Sequence, residues 1–183
     1  MLFLDELPEF NRAALEALRL PMQDGEVLIS RATGTVRLPA QSLVVAAMNP
    51  CPCGHLGDPR RDCRCADQRV AAYRARVSGP LTDRFDLRVE VPRADAHGAP
   101  GEPSAVVAAR VAAAHELLQV SRPPLDAPAE RLLMDAVERL ALSARSRDRV
   151  QRVAGTIAAL AEREHAAADD VAEALAYRLE LTP

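Results

Sequence analysis

The sequence predicts a mixed α/β fold in its first half and an all-α continuation, and three observations predict it. Short apolar runs bounded by turn-forming residues fill the chain up to about residue 92. Residues 93–103 (RADAHGAPGEP) then read as a linker, rich in Pro and Gly and without periodicity. From Ser104 onward apolar residues recur at helical spacing, with Pro123, Pro124 and Pro128 as punctuation.

The elements follow in order. Leu2-Phe3-Leu4 reads as a short buried strand ending in two carboxylates, Asp5 and Glu6. Pro8 breaks the chain, and Asn11 caps a helix that presents Ala14, Leu15, Leu18 and Leu20 on one face. Residues 26–31 (EVLISR) and 35–38 (TVRL) flank Ala32-Thr33-Gly34, a β-hairpin signature in which Gly supplies a positive φ. Residues 42–48 (SLVVAAM) form a continuous apolar run, as expected of a strand covered on both faces. Residues 49–66 are rich in Pro, Gly, Cys and charge; helical spacing returns over 67–77, and 86–91 reads as a further strand. The second half predicts helices over about 104–119, 127–141, 145–162 and 169–179.

Composition narrows the functional classes. A net charge of -3 excludes a chain that coats nucleic acid through overall basicity. All 23 of the Lys and Arg residues are Arg, so no G-x-x-x-x-G-K-[ST] phosphate loop lies in this sequence. No apolar run approaches the roughly 20 residues that span a bilayer. The first residues carry no basic region and meet Asp5 and Glu6 at once, which is unlike a signal peptide; the expected address is cytoplasmic.

Five constellations could carry chemistry. A strand delivering Asp5 and Glu6 suits a nucleotide hydrolase, where one acid reaches the Mg²⁺ shell and the next polarises water; solvated acids at a strand end read equally well. Asn49 follows an apolar strand, where an amide can orient a phosphate or a water, or simply start a turn before Pro50. Arg84 could reach a neighbouring subunit's phosphate, or pair with Asp83 or Asp86. Ser143-Ala144-Arg145 opens a helix, with Ser143 as its cap, and Arg147, Arg149 and Arg152 follow. Finally, Cys51, Cys53, Cys63 and Cys65 fall within 15 positions in two C-x-C pairs. Four thiolates so spaced suit a closed, structural Zn²⁺ site; free or redox thiols and an iron–sulfur cluster stay open. Arg60, Arg61, Arg64 and Arg69 make this loop locally basic, as a nucleic-acid-facing element or a solvated loop would be.

The order of these segments resembles a known family. L-F-L-D-E-L-P-E-F, G-E-V-x-I-S-R-A-x-G-x-V, A-A-M-N-P-C-P-C-G, C-R-C and S-G-P-L-x-D-R-x-D-L-x-V-E-V-P, running from residue 2 to 92, closely resemble the magnesium-chelatase-like AAA+ ATPases of the ComM/YifB type. Leu142-Ser143-Ala144-Arg145, residues 152–158 and residues 174–178 are similar to that family's helical lid. The resemblance implies a partial AAA+ αβα core over residues 1–92, a linker over 93–103 and a lid over 104–183. It implies Walker B roles for Asp5 and Glu6, a sensor 1 role for Asn49, an arginine-finger role for Arg84 and a sensor 2 role for Arg145. Residues 25–38 would be the pre-sensor-1 hairpin that projects into a ring pore. ATP, Mg²⁺ and structural Zn²⁺ would be the cofactors, with a hexameric ring of the protein itself and DNA as partners. The family's P-loop half would lie before residue 1, so this stretch alone would not hydrolyse ATP. A metal-chelatase motor subunit of tetrapyrrole synthesis and a non-catalytic, zinc-stabilised interaction or DNA-binding module are the alternatives.

Overall fold

The computed structural model describes residues 1–32, 34–92 and 101–178. The chain divides into two compact units, Met1–Phe85 and Asp86–Pro183. Most of the expected 93–103 linker, Thr33 of the hairpin turn and the end of the last helix at 179 lie outside the described residues.

In the first unit, β1 (Leu2–Leu4) pairs in parallel with β4 (Val44–Ala46), with Leu2 opposite Val44, Phe3 opposite Val45 and Leu4 opposite Ala46. The intervening chain makes two helical pieces and a hairpin. Asn11 caps α1 (Arg12–Ala17), its side chain accepting the Ala14 N–H at 2.8 Å. α2 (Arg19–Asp24) follows after a break at Leu18 and ends at Gly25, whose φ of 67° places it in the left-handed region that suits a helix C-terminus. Leu15 and Leu18 turn inward as expected, but Ala14 is exposed on α1, and Leu20 is exposed because the break at Leu18 rotates the second helix off the face of the first.

β2 (Glu26–Arg31) and β3 (Gly34–Pro39) form the expected antiparallel hairpin, with Arg31 opposite Gly34 and Gly34 at φ 142°. Its apolar side chains Leu28, Ile29, Val36 and Leu38 are all exposed. Two sequence expectations fail here. The run 42–48 is a strand only over Val44–Ala46, and Leu43 and Val45 are exposed rather than covered. Residues 86–91 form no strand: their bond through the Arg88 N–H goes to the carbonyl of Tyr177, a helix end that offers no ladder. The core of this unit is Leu4, Leu7, Leu15 and Leu81, with Leu18, Met22, Val77 and Phe85 packed around it. Two helices complete the unit, α3 (Asp67–Arg74) and α4 (Gly79–Thr82), the latter capped by Ser78.

The second unit is helical: α5 (Ser104–Val120), α6 (Ala127–Arg139), α7 (Ala144–Leu160) and α8 (Ala168–Ala176). α6, α7 and α8 each turn an apolar stripe inward, so that Leu133, Val150, Ala154, Ala158, Val171 and Leu175 share one core. The many alanines let these helices approach closely. Gly155 is the extreme case, since a Cβ there would lie 2.7 Å from Cγ of Arg122. Among the described residues no helix is long and apolar enough to cross a membrane.

Candidate functional site

The parallel register brings together what the sequence separates. Asp5 and Glu6 leave the carboxyl end of β1, and Asn49 follows the carboxyl end of β4 on the neighbouring strand. Two backbone bonds bracket the acids: the Ala47 N–H donates to the Leu4 carbonyl and the Leu7 N–H to the Ala47 carbonyl, both at 2.9 Å. Between these anchors the chain turns sharply. Glu6 adopts φ 50° and ψ 48°, a left-handed conformation costly for a side chain of this size, and its N–H donates to Asp5 Oδ1 at 2.9 Å. Buried Leu7 and Pro8 hold the turn from below, leaving both carboxylates exposed at the sheet edge. Open α/β sheets place ligands at that edge.

The cysteines form the second centre. The sulfurs of Cys51 and Cys53 lie 3.4 Å apart, those of Cys51 and Cys63 3.6 Å, and those of Cys53 and Cys63 3.7 Å. With Cys65 the four sulfurs all fall within 4.8 Å of one another. A disulfide needs about 2.05 Å, so none of these pairs is bonded. A tetrahedral Zn²⁺ with bonds of about 2.3 Å requires sulfur–sulfur edges of about 3.8 Å, close to the separations seen. The donor set therefore fits a metal, and a tetrahedral one leaves no position open for substrate.

Electrostatics within the knot are uneven. The His55 and Arg64 backbone N–H groups, aided by the Cys51 thiol, hold the Cys53 thiol down at about 6. The Cys65 N–H favours the Cys63 thiolate, but burial and the neighbouring sulfurs outweigh it and push Cys63 up to about 12. Burial raises Cys51, yet the Leu56 N–H and Cys63 bring it below the ordinary thiol value. Burial and the neighbouring Cys53 raise Cys65. Four crowded sulfurs divide their protons in this way when no cation holds all of them as thiolates. The loop is also less basic than its arginines suggest: Asp58, Asp62 and Asp67 share it, and four thiolates around Zn²⁺ add two negative charges.

Arg84 is engaged within its own unit. Its Nε donates to the Arg19 carbonyl at 2.8 Å, Nη1 to the Pro80 carbonyl at 2.6 Å and Nη2 to Gln23 Oε1 at 2.7 Å. Neither acid expected as its surface partner is the one it holds. Arg145 lies in the second unit, exposed in the first turn of α7, with Ser143 Oγ accepting the Ser146 N–H at 3.2 Å as the expected cap. One turn on, Arg149 is 8% exposed and pairs with Asp86 at 3.4 Å, while Arg178 donates to Ser146 Oγ at 3.2 Å. Burial lowers the Arg149 pKa, Asp86 opposes this, and the nearby charges of Arg178, Arg152 and Arg145 add to the lowering. Sequence reasoning gave Arg149 and Arg178 no role; the i, i+4 spacing of Arg145 and Arg149 was the signal for a shared helix face.

Tyr73 was also missed. It is 7% exposed, and burial raises its hydroxyl's pKa, with the backbone N–H of Asn49 opposing the rise. In a chain only 3% aromatic, an aromatic at the end of the helix after the cysteines was the available clue.

Known proteins resemble this chain over nearly its whole length. Residues 1–99 match the family described as "Magnesium chelatase, subunit ChlI", and residues 119–178 match "Magnesium chelatase, subunit ChlI C-terminal". The "Uncharacterized protein YifB" of Salmonella typhimurium is 37% identical over 198 residues, covering 97% of this chain and 39% of that protein. The "Competence protein ComM" of Haemophilus influenzae is 38% identical over 198 residues, covering 97% of this chain and 38% of that protein. An uncharacterized Mycobacterium tuberculosis protein is 40% identical over 200 residues, covering 97% of this chain and 39% of that protein. The chain thus spans about two fifths of the length of the curated relatives it matches. With both family matches in chain order and relatives 37% and 38% identical over 97% of the chain, the chain belongs to the magnesium-chelatase-like AAA+ family, in its ComM/YifB branch.

Proposed function

We propose that residues 1–92 are the carboxyl-edge part of an ATP-hydrolysing core and residues 104–183 its helical lid, joined by the 93–103 linker, in a motor that forms a hexameric ring in the cytoplasm and acts on DNA. One observation carries this reading: parallel pairing of β1 and β4 delivers Asp5, Glu6 and Asn49 to a single sheet edge. Bound Mg²⁺–ATP would supply the electrophilic phosphorus and a cation that spreads the developing charge. Two exposed, adjacent carboxylates suit a water-mediated contact from Asp5 to that cation. Glu6 then takes the proton of the attacking water, and Asn49 aims that water in line. Arg145 from its own subunit and Arg84 from the neighbour neutralise the terminal phosphate. For Arg84 this role requires exchange of the three bonds that hold it to Arg19, Pro80 and Gln23. The hairpin of β2 and β3, with its exposed apolar side chains, is the element offered to the ring pore. The four cysteines hold Zn²⁺ structurally.

The phosphate-loop lysine comes from outside residues 1–183, since every basic residue here other than the histidines is Arg. DNA as the substrate is supported by the name of the Haemophilus relative, a competence protein. The descriptions of the two matching families favour a second reading, a metal-chelatase motor. Stimulation of the ring-forming protein by branched DNA or by a porphyrin separates the two. Calorimetry of this chain with Mg²⁺–ATP tests the division of the site. No binding is expected; Mg²⁺-dependent turnover abolished by Glu6→Gln would mean the 183 residues build a complete site and the reading is wrong.

A further inference from the structure

The cysteine knot and Asn49 are fastened to each other at three places. Cys51, fully buried, follows Asn49 by two residues, so the knot grips the chain just past the sheet edge. The Asn49 side chain lies against the turn at Gly54, where a Cβ would stand 3.9 Å from Asn49 Oδ1 and the Gly54 N–H donates to the Cys51 carbonyl at 3.0 Å. The third fastening runs through α3. That helix begins two residues after Cys65 and returns at its far end to the same edge. There Arg74 Nε donates to the Pro50 carbonyl at 3.2 Å. Just beyond, Arg76 Nη1 donates to the Pro8 carbonyl at 3.2 Å and to Glu9 Oε2 at 3.0 Å, tying the turn after Asp5 and Glu6 to the same helix.

We infer that α3 and the cysteine-bound metal form one clasp that sets Asn49, with Arg74 as a positioning residue, so that metal occupancy governs the order of the edge that carries Asn49. The geometry favours this over a metal that merely stabilises its own loop. A loop-only metal needs no contact beyond residues 51–65, whereas here the chain leaving the knot carries two side chains, Arg74 and Arg76, bonded to residues 8, 9 and 50. A turn-rich loop of this kind has little apolar core of its own, so release of the metal removes what holds one end of α3. The other end then loses the fixed platform from which Arg74 and Arg76 reach the backbone. The inference rests on the metal reading of the four cysteines and not on ATP hydrolysis.

Amide hydrogen exchange of the whole chain, read by NMR beside its zinc content and melting temperature, tests it. Arg74→Ala removes the guanidinium that holds the Pro50 carbonyl. It is expected to leave zinc at one per chain while exchange at the Asn49 and Cys51 amides, on either side of Pro50, quickens roughly fivefold, the effect of one ordinary hydrogen bond. Chelation, or Cys63→Ser, is expected to remove zinc and quicken exchange at Asn49 and along 70–76, with β2 and β3 unchanged. Zinc loss that quickens exchange only within 51–65, or an Arg74→Ala chain with unaltered exchange at Asn49 and Cys51, overturns the clasp. A chain that takes up no zinc instead sinks the metal reading and the metal half of the clasp with it. The Arg74→Ala comparison still decides the α3 half.

Discussion

The Arg84 guanidinium donates through Nε to the main-chain carbonyl of Arg19 at 2.8 Å, so a residue with a proposed role at a neighbouring subunit is also a fastening of its own. Together with its bonds to the Pro80 carbonyl and Gln23, it joins α2 to the end of α4. Arg84→Ala is expected to destabilise the first unit by about 1–3 kcal/mol, as the loss of charge-assisted hydrogen bonds does. Arg84→Lys recovers only part, because an ammonium cannot reproduce the planar fork that serves three acceptors. Urea denaturation of the two variants checks this; an Arg84→Ala chain as stable as the parent would show that these bonds contribute nothing and that the side chain is available to a neighbour.

Zinc uptake near neutral pH is expected to release fewer than four protons. Cys53, held at about 6, is already largely thiolate there, whereas Cys63, pushed up to about 12, must give up its proton to the metal. As pH falls through the Cys53 value, the count rises toward four and affinity falls, because protons then compete at every sulfur. Calorimetry in buffers of different ionisation enthalpy gives the count. A release of four protons at neutral pH, with no further rise on acidification, would contradict this account of Cys53.

The sign of Gly155→Ala is expected to be reversed. In an exposed helix interior, Gly→Ala gains up to about 1 kcal/mol. At Gly155 the new methyl would meet Cγ and Cδ of Arg122 at 2.7 and 2.9 Å and the Pro123 carbonyl at 3.0 Å. Overpacking of this kind costs about 1–3 kcal/mol, so a net loss of stability follows. Adding Arg122→Ala removes two of the three contacts and is expected to restore much of the loss. A double-mutant cycle by thermal denaturation measures the coupling, and strict additivity would refute the clash.

Asp170 stabilises the start of α8 from within the helical unit. It is 3% exposed, and its carboxylate accepts the Ala167 N–H at 2.8 Å and a guanidinium N–H of Arg163 at 2.5 Å. Asp170→Ala removes a cap and leaves that half-buried N–H without its acceptor, for an expected loss of about 1–3 kcal/mol. Arg163→Ala is expected to cost less, because that side chain is 41% exposed and water screens the pair. Comparable melting temperatures for the two variants would assign the effect to the ion pair rather than to the cap.

Local pattern in the sequence determined the α/β-then-α order, the caps at Asn11 and Ser143, the hairpin of 26–31 with 34–39, the four C-terminal helices and the two C-x-C pairs. Each depends on residues a few positions apart, through helix periodicity, turn chemistry or ligand spacing. The motif order also determined the family. Tertiary structure alone decided which strands pair and therefore which residues meet. Leu4 and Ala46 are 42 positions apart, and no local pattern encodes their parallel register, yet that register sets Asp5 and Glu6 beside Asn49. The same dependence undid the strand expected at 86–91: apolar alternation marks a segment able to pair, but a strand exists only where a partner's backbone groups face it. Arg84, Arg149 and Arg74 took their roles from partners 24 to 65 residues away, through contacts that exist only once the chain has closed.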